Sequence, residues 1–162
     1  MEIKKLFGIE NKVAIVTGGS RGIGEMITSG FLANGVKVYI SARKAPALIE
    51  KAKELSDRYQ QECIPVPSDL STIEGIESFV GSISEKEEGI DFLINNAGAA
   101  WGEPFETFSE QGWDKVMNLN VKSMFFLTQK LKSHLLKRCT LDDPSRVINI
   151  GSIDGLNVPA LE

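Results

Sequence analysis

Residues that bind metals or cross-link a small protein are scarce in this sequence. Its 162 residues include two cysteines, Cys63 and Cys139, and a single histidine, His134. The cysteines have no metal-ligand spacing and no partners for a disulfide framework, so we expect reduced thiols, a cytoplasmic location and no metal site. His134 lies in a polar part of a predicted helix, which indicates a surface residue rather than a catalytic base.

An excess of positive charge is missing as well. The 18 lysines and arginines are outnumbered by 22 acidic residues, which gives a formal net charge of −4. This balance argues against binding to nucleic acid or to an anionic membrane, because both require a basic face. No apolar run approaches the ~20 residues of a membrane span, and residues 1–8 lack the apolar core of a secretory signal.

The sequence does contain a regular alternation of short apolar runs and amphipathic segments. Each apolar run is nearly continuous, as in parallel strands that are covered on both faces. The predicted strands are Val13–Thr17, Lys37–Ala42, Cys63–Val66, Asp91–Asn95 and Arg146–Ile150. The predicted helices are Ile23–Asn34, Ala47–Gln61, Thr72–Lys86 and Gln111–Lys137. This order predicts one α/β domain over residues 1–162 with a doubly wound parallel sheet and a cofactor site at its carboxyl edge.

Capping residues stand near the predicted helix ends. Ser71 and Ser109 are the expected N-caps, and Gly35 is expected to end the first helix in a left-handed conformation. Residues 151–162 follow the last strand without a closing helical pattern. We therefore expect a sheet that is incomplete at its C-terminal side.

A glycine-rich turn joins the first strand to the first helix. Gly18 lets the chain turn sharply, Gly22 lets the backbone approach a pyrophosphate, and Gly24 lets the helix pack close to the strand. The anion would then lie on unpaired N–H groups at a helix start. Glycines also form ordinary turns, but the flanking strand and helix favour a nucleotide site. The candidate cofactor residues of this turn are Thr17, Gly18, Ser20, Arg21, Gly22, Ile23 and Gly24.

The residues after the second strand predict which dinucleotide binds. At this point NAD enzymes place a carboxylate for the ribose 2′-hydroxyl, whereas NADP enzymes place a cation for the 2′-phosphate. No Asp or Glu occurs between Asn34 and Glu50, but Arg43 and Lys44 follow the strand and Arg21 lies in the glycine turn. Solvated loop charges are the alternative interpretation. The missing acid together with the cations predicts NADP(H) as the cofactor.

Two further strand ends carry candidate cofactor residues. Asp69 and the neighbouring amide of Leu70 are placed to border an adenine, although Asp69 is equally suited to cap the next helix beside Ser71. After the fourth strand, two adjacent Asn residues and a glycine suit backbone approach to a ribose, or alternatively a plain turn. The candidates in this second segment are Asn96, Ala97 and Gly98.

Two polar residues near the same sheet edge are candidate catalytic groups. Asn120 interrupts the apolar stripe of the long helix and, if buried, needs hydrogen-bond partners. Ser152 follows the fifth strand, although a lone Ser after Gly is also common in turns. Trp101, in the loop after the fourth strand, would either line a substrate pocket or anchor that loop by packing.

Taken together, these segments resemble the short-chain dehydrogenase/reductase family. Residues 17–24 match its T-G-x-x-x-G-x-G cofactor motif, and residues 95–98 match its N-N-A-G motif. Asn120 resembles the structural and catalytic Asn of the family, and Ser152 resembles its catalytic Ser. Within the family, the chain is most similar to NADPH-dependent β-ketoacyl reductases, including the kind linked to rhamnolipid synthesis.

The resemblance implies a Rossmann fold and hydride transfer between NADP(H) and a small-molecule carbonyl or hydroxyl substrate. In the family a Tyr is the general acid, and a Lys lowers its pKa and holds the nicotinamide ribose. The Ser polarises the substrate oxygen, and the Asn holds a water that connects the Lys to solvent. The resemblance also implies that the full-length protein is a homo-oligomer, assembled through the long helix and the one after it.

The Tyr-x-x-x-Lys motif of the family does not occur in this sequence. Tyr39 and Tyr59 are followed at that spacing by Arg43 and Cys63, and both lie in the wrong elements. The sequence ends before the place of the motif, so we expect the N-terminal part of a reductase, with little or no turnover, because positioned acid–base catalysis contributes about 10²–10⁴-fold. The alternatives are a non-catalytic NADP(H)-binding module and an interaction protein that uses an exposed sheet edge.

Overall fold

The computed structural model describes residues 7–156, apart from the side chain of Asp154. Residues 1–6 and 157–162 lie outside the described residues. They are the two ends of the predicted domain, and residues 1–6 also form most of the segment in which we expect no secretory signal. The strands are β1 (Val13–Thr17), β2 (Lys37–Ala42), β3 (Cys63–Pro67), β4 (Phe92–Asn95) and β5 (Arg146–Asn149). The helices are α1 (Gly22–Ala33), α2 (Ala45–Tyr59), α3 (Ile73–Ser84), α4 (Glu110–Met117) and α5 (Ser123–Arg138).

The five strands form one parallel sheet in the order β3-β2-β1-β4-β5, which confirms the predicted doubly wound fold. In the centre of the sheet, Ile15 of β1 is paired with Tyr39 of β2 and with Leu93 of β4. The strand order reverses between β1 and β4, because the chain adds β2 and β3 on one side and β4 and β5 on the other. In such sheets, ligands bind at the carboxyl ends of the strands where the order reverses.

Helices cover both faces of the sheet because successive side chains of each strand point to opposite sides. On one face, Ile15 and Leu93 pack with residues of α3 and α5, such as Phe79 and Leu127. On the other face, alternate strand residues pack with α1 and α2. Each of these layers is a buried hydrophobic cluster, so the central strands are held firmly in register.

β5 differs from the prediction that every strand is covered on both faces. Its four residues are all exposed, and Val147 and Ile148 retain 41% and 45% of their accessible surface. Their apolar pattern is that of a buried strand, but in the described part of the chain β5 has a neighbour on one side alone. The strand itself was predicted correctly, and within residues 7–156 it is not covered on both faces.

The helix caps confirm one prediction and correct another. Ser109 is the N-cap of α4, and its hydroxyl accepts a hydrogen bond from the N–H of Gly112 at 3.1 Å. The N-cap of α3 is Thr72, whose Oγ1 accepts from Gly75 N at 3.0 Å, so the prediction of Ser71 was wrong by one residue. Either hydroxyl residue can cap, and the local turn selects Thr72.

The predicted long helix is continuous but not uniform. It runs through α4, a π-helical segment over Asn118–Lys122, and α5. The wider turn of a π-helix changes the direction of the side chains that follow, and such segments are frequent at functional sites. Gly35 follows the first helix with φ of +75°, as predicted.

Candidate active site

The glycine turn has the geometry that its sequence predicts. Gly18 and Gly22 have backbone φ angles of +65° and +55°, which residues other than glycine rarely adopt. The N–H of Gly18 donates to the carbonyl of Ser41 at 3.0 Å, which fixes the turn to the end of β2. A Cβ on Gly24 would overlap the carbonyl oxygen of Gly18, so only glycine allows α1 to begin this close to the strand.

The start of α1 is open to an anion. Arg21 occupies the N-cap position with an extended backbone (φ −158°), and its side chain makes no capping hydrogen bond among the described residues. The first helical bond runs from Glu25 N to the Arg21 carbonyl at 3.2 Å, so the N–H groups of residues 22–24, at the start of the helix, are available. A Cβ on Gly22 would have no atom of the described residues within 4 Å, which leaves space for a diphosphate beside the positive end of the helix.

The ends of β1 and β4 are joined where the strand order reverses. Thr17 Oγ1 accepts hydrogen bonds from the N–H groups of Asn96 and Ala97, each at 2.9 Å. The Asn96 side chain donates in return to the carbonyl of Thr17 at 2.9 Å. A Cβ on Gly18 would lie 3.2 Å from Ala97 Cα, so the two loops are in direct contact. Thr17 and Asn96 are predicted cofactor residues, and their side chains hydrogen-bond to other parts of the protein.

The half-buried side chain of Asn120 has the hydrogen-bond partners that its position in the helix requires. Its Oδ1 accepts from Ala99 N at 2.8 Å, and its Nδ2 donates to the Ala99 carbonyl at 2.9 Å. It lies in the π-helical segment and also approaches Gly98, where a Cβ would be 3.6 Å from Asn120 Oδ1. The side chain thus fixes the loop after β4 against the helix that follows it.

Trp101 is a packing anchor of that loop. Its ring lies against Gly112 of α4, where an added Cβ would overlap it, and Lys115 Nζ lies 4.2 Å from the ring centroid. Glu103 Oε2 accepts from Ser109 N at 2.7 Å, and this bond holds the pKa of Glu103 below its ordinary value. The loop is therefore fixed to the helix at several points, which favours the packing role over that of a pocket wall.

The predicted cations lie exposed where β2 ends. Arg43 and Lys44 occupy the turn into α2, with Lys44 at its N-cap position. Asp69 lies near Arg43, and its pKa is lowered mainly by the hydrogen bond from Ser71 Oγ, with a smaller contribution from the Arg43 charge. The Leu70 side chain is 3% exposed and belongs to the core, so only its backbone is available to a ligand. Asp69 therefore stabilises the turn before α3 rather than the first turn of the helix.

Ser152 lies at the carboxyl edge, three residues after the end of β5, and is exposed. A feature that the sequence analysis missed joins β4 to β5 just before it: Asn95 Nδ2 donates to Asn149 Oδ1 at 2.8 Å. Asn95 is the last residue of β4 and Asn149 is the last residue of β5. Two polar residues at the ends of two predicted strands were the sequence signal that could have indicated this bond. Asn95 is 2% exposed whereas Asn149 is exposed, so this bond is partly buried.

Two further findings concern residues 7–156 as a whole. This part of the chain holds no group of three or more His, Cys, Asp or Glu side chains that is placed to bind a metal ion. None of its helices combines the length and apolarity that crossing a bilayer requires. His134 is half-buried on α5, and its carbonyl accepts from Ile90 N at 3.1 Å.

Comparison with known proteins identifies the class. The family model for short chain dehydrogenases matches residues 12–161, and the chain belongs to this family. It is 42% identical over 151 residues to the rhamnolipids biosynthesis 3-oxoacyl-[acyl-carrier-protein] reductase of Pseudomonas aeruginosa, covering 93% of this chain and 58% of that protein.

Solved structures show the same fold. The RhlG/NADP active-site complex of P. aeruginosa superposes with a TM-score of 0.89 and 40% identity, over 100% of this chain and 61% of that one. The L-sorbose reductase of Gluconobacter frateurii, complexed with NADPH and L-sorbose, has a TM-score of 0.77 and 31% identity over 80% of this chain and 50% of that one. The chain thus spans about three fifths or less of the length of these relatives.

Proposed function

We propose that this chain provides the NADP(H)-binding part of an oxidoreductase that transfers a hydride between nicotinamide and a carbonyl or hydroxyl substrate. The observation that carries the proposal is the set of cations at the carboxyl edge. Arg43 and Lys44 are exposed after β2, and Arg21 is exposed at the start of α1. A 2′-phosphate pairs favourably with guanidinium and ammonium groups, whereas a ribose 2′-hydroxyl is usually bound by a carboxylate.

The remaining predicted cofactor residues have complementary proposed roles. The diphosphate would lie on the N–H groups of residues 22–24, beside the open space at Gly22. Asp69 and the Leu70 amide would border the adenine, and the backbone of residues 96–98 would lie beside the nicotinamide ribose. Ser20 is half-buried in the turn and Ile23 is exposed at the helix start, so both are placed to contact the ligand. Thr17 would act indirectly, by holding Asn96 and Ala97 in place.

Ser152 and Asn120 are the proposed catalytic residues of this chain. When bound, the nicotinamide supplies or accepts the hydride. The Ser152 hydroxyl, exposed at the carboxyl edge, would donate a hydrogen bond to the substrate oxygen and so favour charge developing there. The Asn120 side chain is already bonded on both sides to Ala99, so a water at this position would be held by the main chain.

For the substrate we propose a 3-oxoacyl compound or a similar carbonyl. The support is the 42% identity to a protein described as a 3-oxoacyl-[acyl-carrier-protein] reductase. Neither tyrosine of the sequence is available as the acid: Tyr39 is fully buried, and Tyr59 ends α2 away from the carboxyl edge. We therefore propose that these 162 residues alone bind NADP(H) weakly at best and turn over little or no substrate.

A second candidate is a non-catalytic NADP(H)-binding module. The observation that favours it is the complete glycine turn beside a site that has no Tyr-x-x-x-Lys in the 162 residues. We further propose a single dinucleotide-binding domain over residues 1–162 and, because both cysteines are free, a cytoplasmic location. Homo-oligomer formation by a full-length form remains part of the proposal.

The test is to titrate the 162-residue chain with NADPH and NADH by calorimetry, then add a 3-oxoacyl thioester and follow absorbance of the reduced nicotinamide. We expect NADPH to bind more tightly than NADH and its oxidation to stay at the level of the control without protein. Equal affinity for the two dinucleotides would contradict the cofactor assignment. Steady oxidation above the control would contradict the lack of turnover and exclude the non-catalytic module.

A further inference from the structure

Asn95 is a buried polar residue on the face of the sheet that α5 covers. Leu93 lies two residues earlier in β4, and therefore on the same face, and is fully buried in the hydrophobic cluster. Asn95 is 2% exposed, and a buried amide costs free energy unless it is hydrogen-bonded. An apolar residue would suit this position better for stability alone. The amide therefore indicates a role that depends on the direction of hydrogen bonds.

The Asn95 side chain uses both of its N–H groups in bonds to other elements. Its Nδ2 donates to Asn149 Oδ1 in β5 at 2.8 Å and to Thr128 Oγ1 in α5 at 3.3 Å. The Asn95 carbonyl also accepts from Ile150 N at 2.9 Å, which gives the end of β5 a second anchor. Because a primary amide is planar and its two donors have fixed directions, the two acceptors are held in a fixed relation to each other.

Thr128 differs from three other hydroxyl residues that lie within helices. The hydroxyls of Thr28, Ser82 and Ser84 each donate to the carbonyl four residues earlier in their own helix. This local bond is the usual one for a helical Ser or Thr. In contrast, the Thr128 hydroxyl accepts its bond from a residue that is 33 positions away in the sequence. Thr128 thus connects its helix to the sheet.

The two elements that Asn95 joins carry the two proposed catalytic residues. Ser152 follows Asn149 by three residues, which is a reach of about 10 Å even for a fully extended chain. Asn120 precedes Thr128 by eight residues on the same continuous helix, or about 12 Å along its axis. The bonds of Asn95 therefore hold the strand end before Ser152 against the helix that carries Asn120.

We propose that Thr128 is a positioning residue, which acts through Asn95 and Asn149 to set the place of the Ser152 segment relative to Asn120. The inference rests on the proposed function, because that proposal names Ser152 and Asn120 as catalytic. Catalysis by positioned groups depends on their spacing, and a misplacement of about 1 Å can cost roughly 10²-fold in rate. Hydrogen bonds restrict such a spacing better than apolar contacts do, because they depend on direction as well as on distance.

Support of overall stability is the alternative role for these bonds, and the two ends of β5 distinguish it. Arg146, at the start of the strand, donates from its N–H to the Asp91 carbonyl at 2.8 Å. A loss of overall stability would speed hydrogen exchange at both ends, because both amides would open through the same global unfolding. The loss of a positioning bond would affect the end at Ile150 alone.

Amide hydrogen exchange of the 162-residue chain, followed by NMR without cofactor, is the first test. Thr128→Val keeps the shape of the side chain and removes its hydroxyl, so we expect the Ile150 amide to exchange roughly tenfold faster and the Arg146 amide to be unchanged. Asn149→Ala removes the other acceptor at an exposed position and should have the same effect. Thr128→Ser keeps the hydroxyl, loses the methyl group and should behave as the parent chain does. Ser133→Ala, which removes an exposed hydroxyl from the same helix, is the matched control.

A nitroxide label reports the spacing itself. The label is attached to the Ser152→Cys variant in a Cys139→Ser background, where the remaining thiol, Cys63, is buried. We expect Thr128→Val to shift the paramagnetic broadening of the Asn120 amide, because the labelled segment is no longer held against the helix. Thr128→Ser should leave this broadening at the value of the parent chain.

Four results would overturn the proposal. Two are an Ile150 exchange rate or an Asn120 broadening that Thr128→Val leaves unchanged. The third is an equal acceleration at Ile150 and Arg146, which would assign Thr128 to overall stability. The fourth is a Thr128→Ser variant that behaves like Thr128→Val, which would assign the effect to packing of the methyl group. None of these measurements uses NADPH, so their failure is distinct from failure of the proposed function, which the NADPH titration decides.

Discussion

Gly24 lies so close to Gly18 that a Cβ on Gly24 would overlap the Gly18 carbonyl oxygen. This contact sets the distance between the end of β1 and the start of α1, and therefore the position of the N–H groups that we propose to hold the diphosphate. A Cβ at Gly24 would also approach the Asn96 side chain, which joins this turn to the end of β4. One missing side chain thus positions two loops of the candidate site.

Replacing Gly24 with Ala should both destabilise the chain and weaken NADPH binding. The added methyl group meets backbone rather than a flexible side chain, so we expect a loss of about 1–3 kcal/mol in the free energy of unfolding. Gly30 lies in the same helix, and a Cβ there would have no described atom within 4 Å. Gly30→Ala should therefore stabilise the chain by up to about 1 kcal/mol. Urea unfolding of both variants measures the difference, and a Gly24→Ala variant as stable as the parent chain would contradict the packing argument.

Replacing Arg43 with Ala should reduce the preference for NADPH over NADH. A lost charge-assisted hydrogen bond is equivalent to about 1.5–3 kcal/mol, so we expect NADPH affinity to fall roughly 10- to 100-fold. NADH affinity should change little, because NADH has no 2′-phosphate. Lys53→Ala, which removes another exposed cation from α2, is the control. Titration of both variants with both dinucleotides decides the matter, and an equal loss for the two would assign Arg43 a structural role.

Replacing Tyr39 with Phe should destabilise the fold without affecting the site. The Tyr39 hydroxyl donates to Glu87 Oε1 at 2.8 Å in the core, where Glu87 also pairs with Lys37 at 2.9 Å. Burial is the main cause that raises the pKa of Tyr39, so its hydroxyl stays protonated and able to donate. Losing the bond should lower the free energy of unfolding by about 1–2 kcal/mol.

Tyr59→Phe is the matched control for this variant, because Tyr59 is half-buried at the end of α2. Thermal unfolding should show a lower midpoint for Tyr39→Phe and an unchanged one for Tyr59→Phe. NADPH affinity should be the same in both. A change in affinity for Tyr39→Phe alone would mean that the tyrosine influences the site from below the sheet.

The stability of the chain should depend on the charge of Asp69 in acid. The hydrogen bond from Ser71 lowers the pKa of Asp69 below its ordinary 3.8 in the folded state. The carboxylate is therefore favoured by folding: its stabilisation is complete above the unfolded pKa and is lost as the pH falls through the lower folded value. Asp69→Asn should be less stable than the parent chain at pH 7, and the difference should begin to shrink as the pH falls below the unfolded pKa of about 4.

Urea unfolding at pH 7, 5 and 3 measures this convergence. Asp57→Asn, an exposed position on α2, is the control and should give a curve parallel to that of the parent chain. A constant difference between Asp69→Asn and the parent chain at all three values would show that the effect is one of shape and not of charge.

The order of strands and helices could be predicted from the sequence because it depends on local information. Apolar runs, amphipathic spacing and the glycine turn all lie within short segments, and the predicted elements match the observed ones to within two residues. Gly18 and Gly22 have the positive φ angles that the motif implies. A backbone conformation that residues other than glycine rarely adopt leaves a direct mark on the sequence.

Contacts between distant segments could not be predicted in this way. The packing of Trp101 on Gly112 favours the anchoring alternative for that residue, and the bond from Ser71 to the Asp69 side chain appears only in the structure. The place of Asp69 beside the adenine stays a prediction. The bond between Asn95 and Asn149 joins residues 54 positions apart and was missed. A side chain of this kind has several acceptable partners, and only the assembled sheet selects one.

The sequence by itself determined the parallel sheet, the glycine turn and the cations at the end of β2, because each depends on residue type and on nearby neighbours. The tertiary structure alone decided that Asn120 bonds to Ala99 on both sides and that Asn95 of β4 bonds to Asn149 of β5. A residue's type states which hydrogen bonds its side chain is able to make. Which partner it meets depends on segments that are distant in the sequence and are brought together only by the folded sheet and helices.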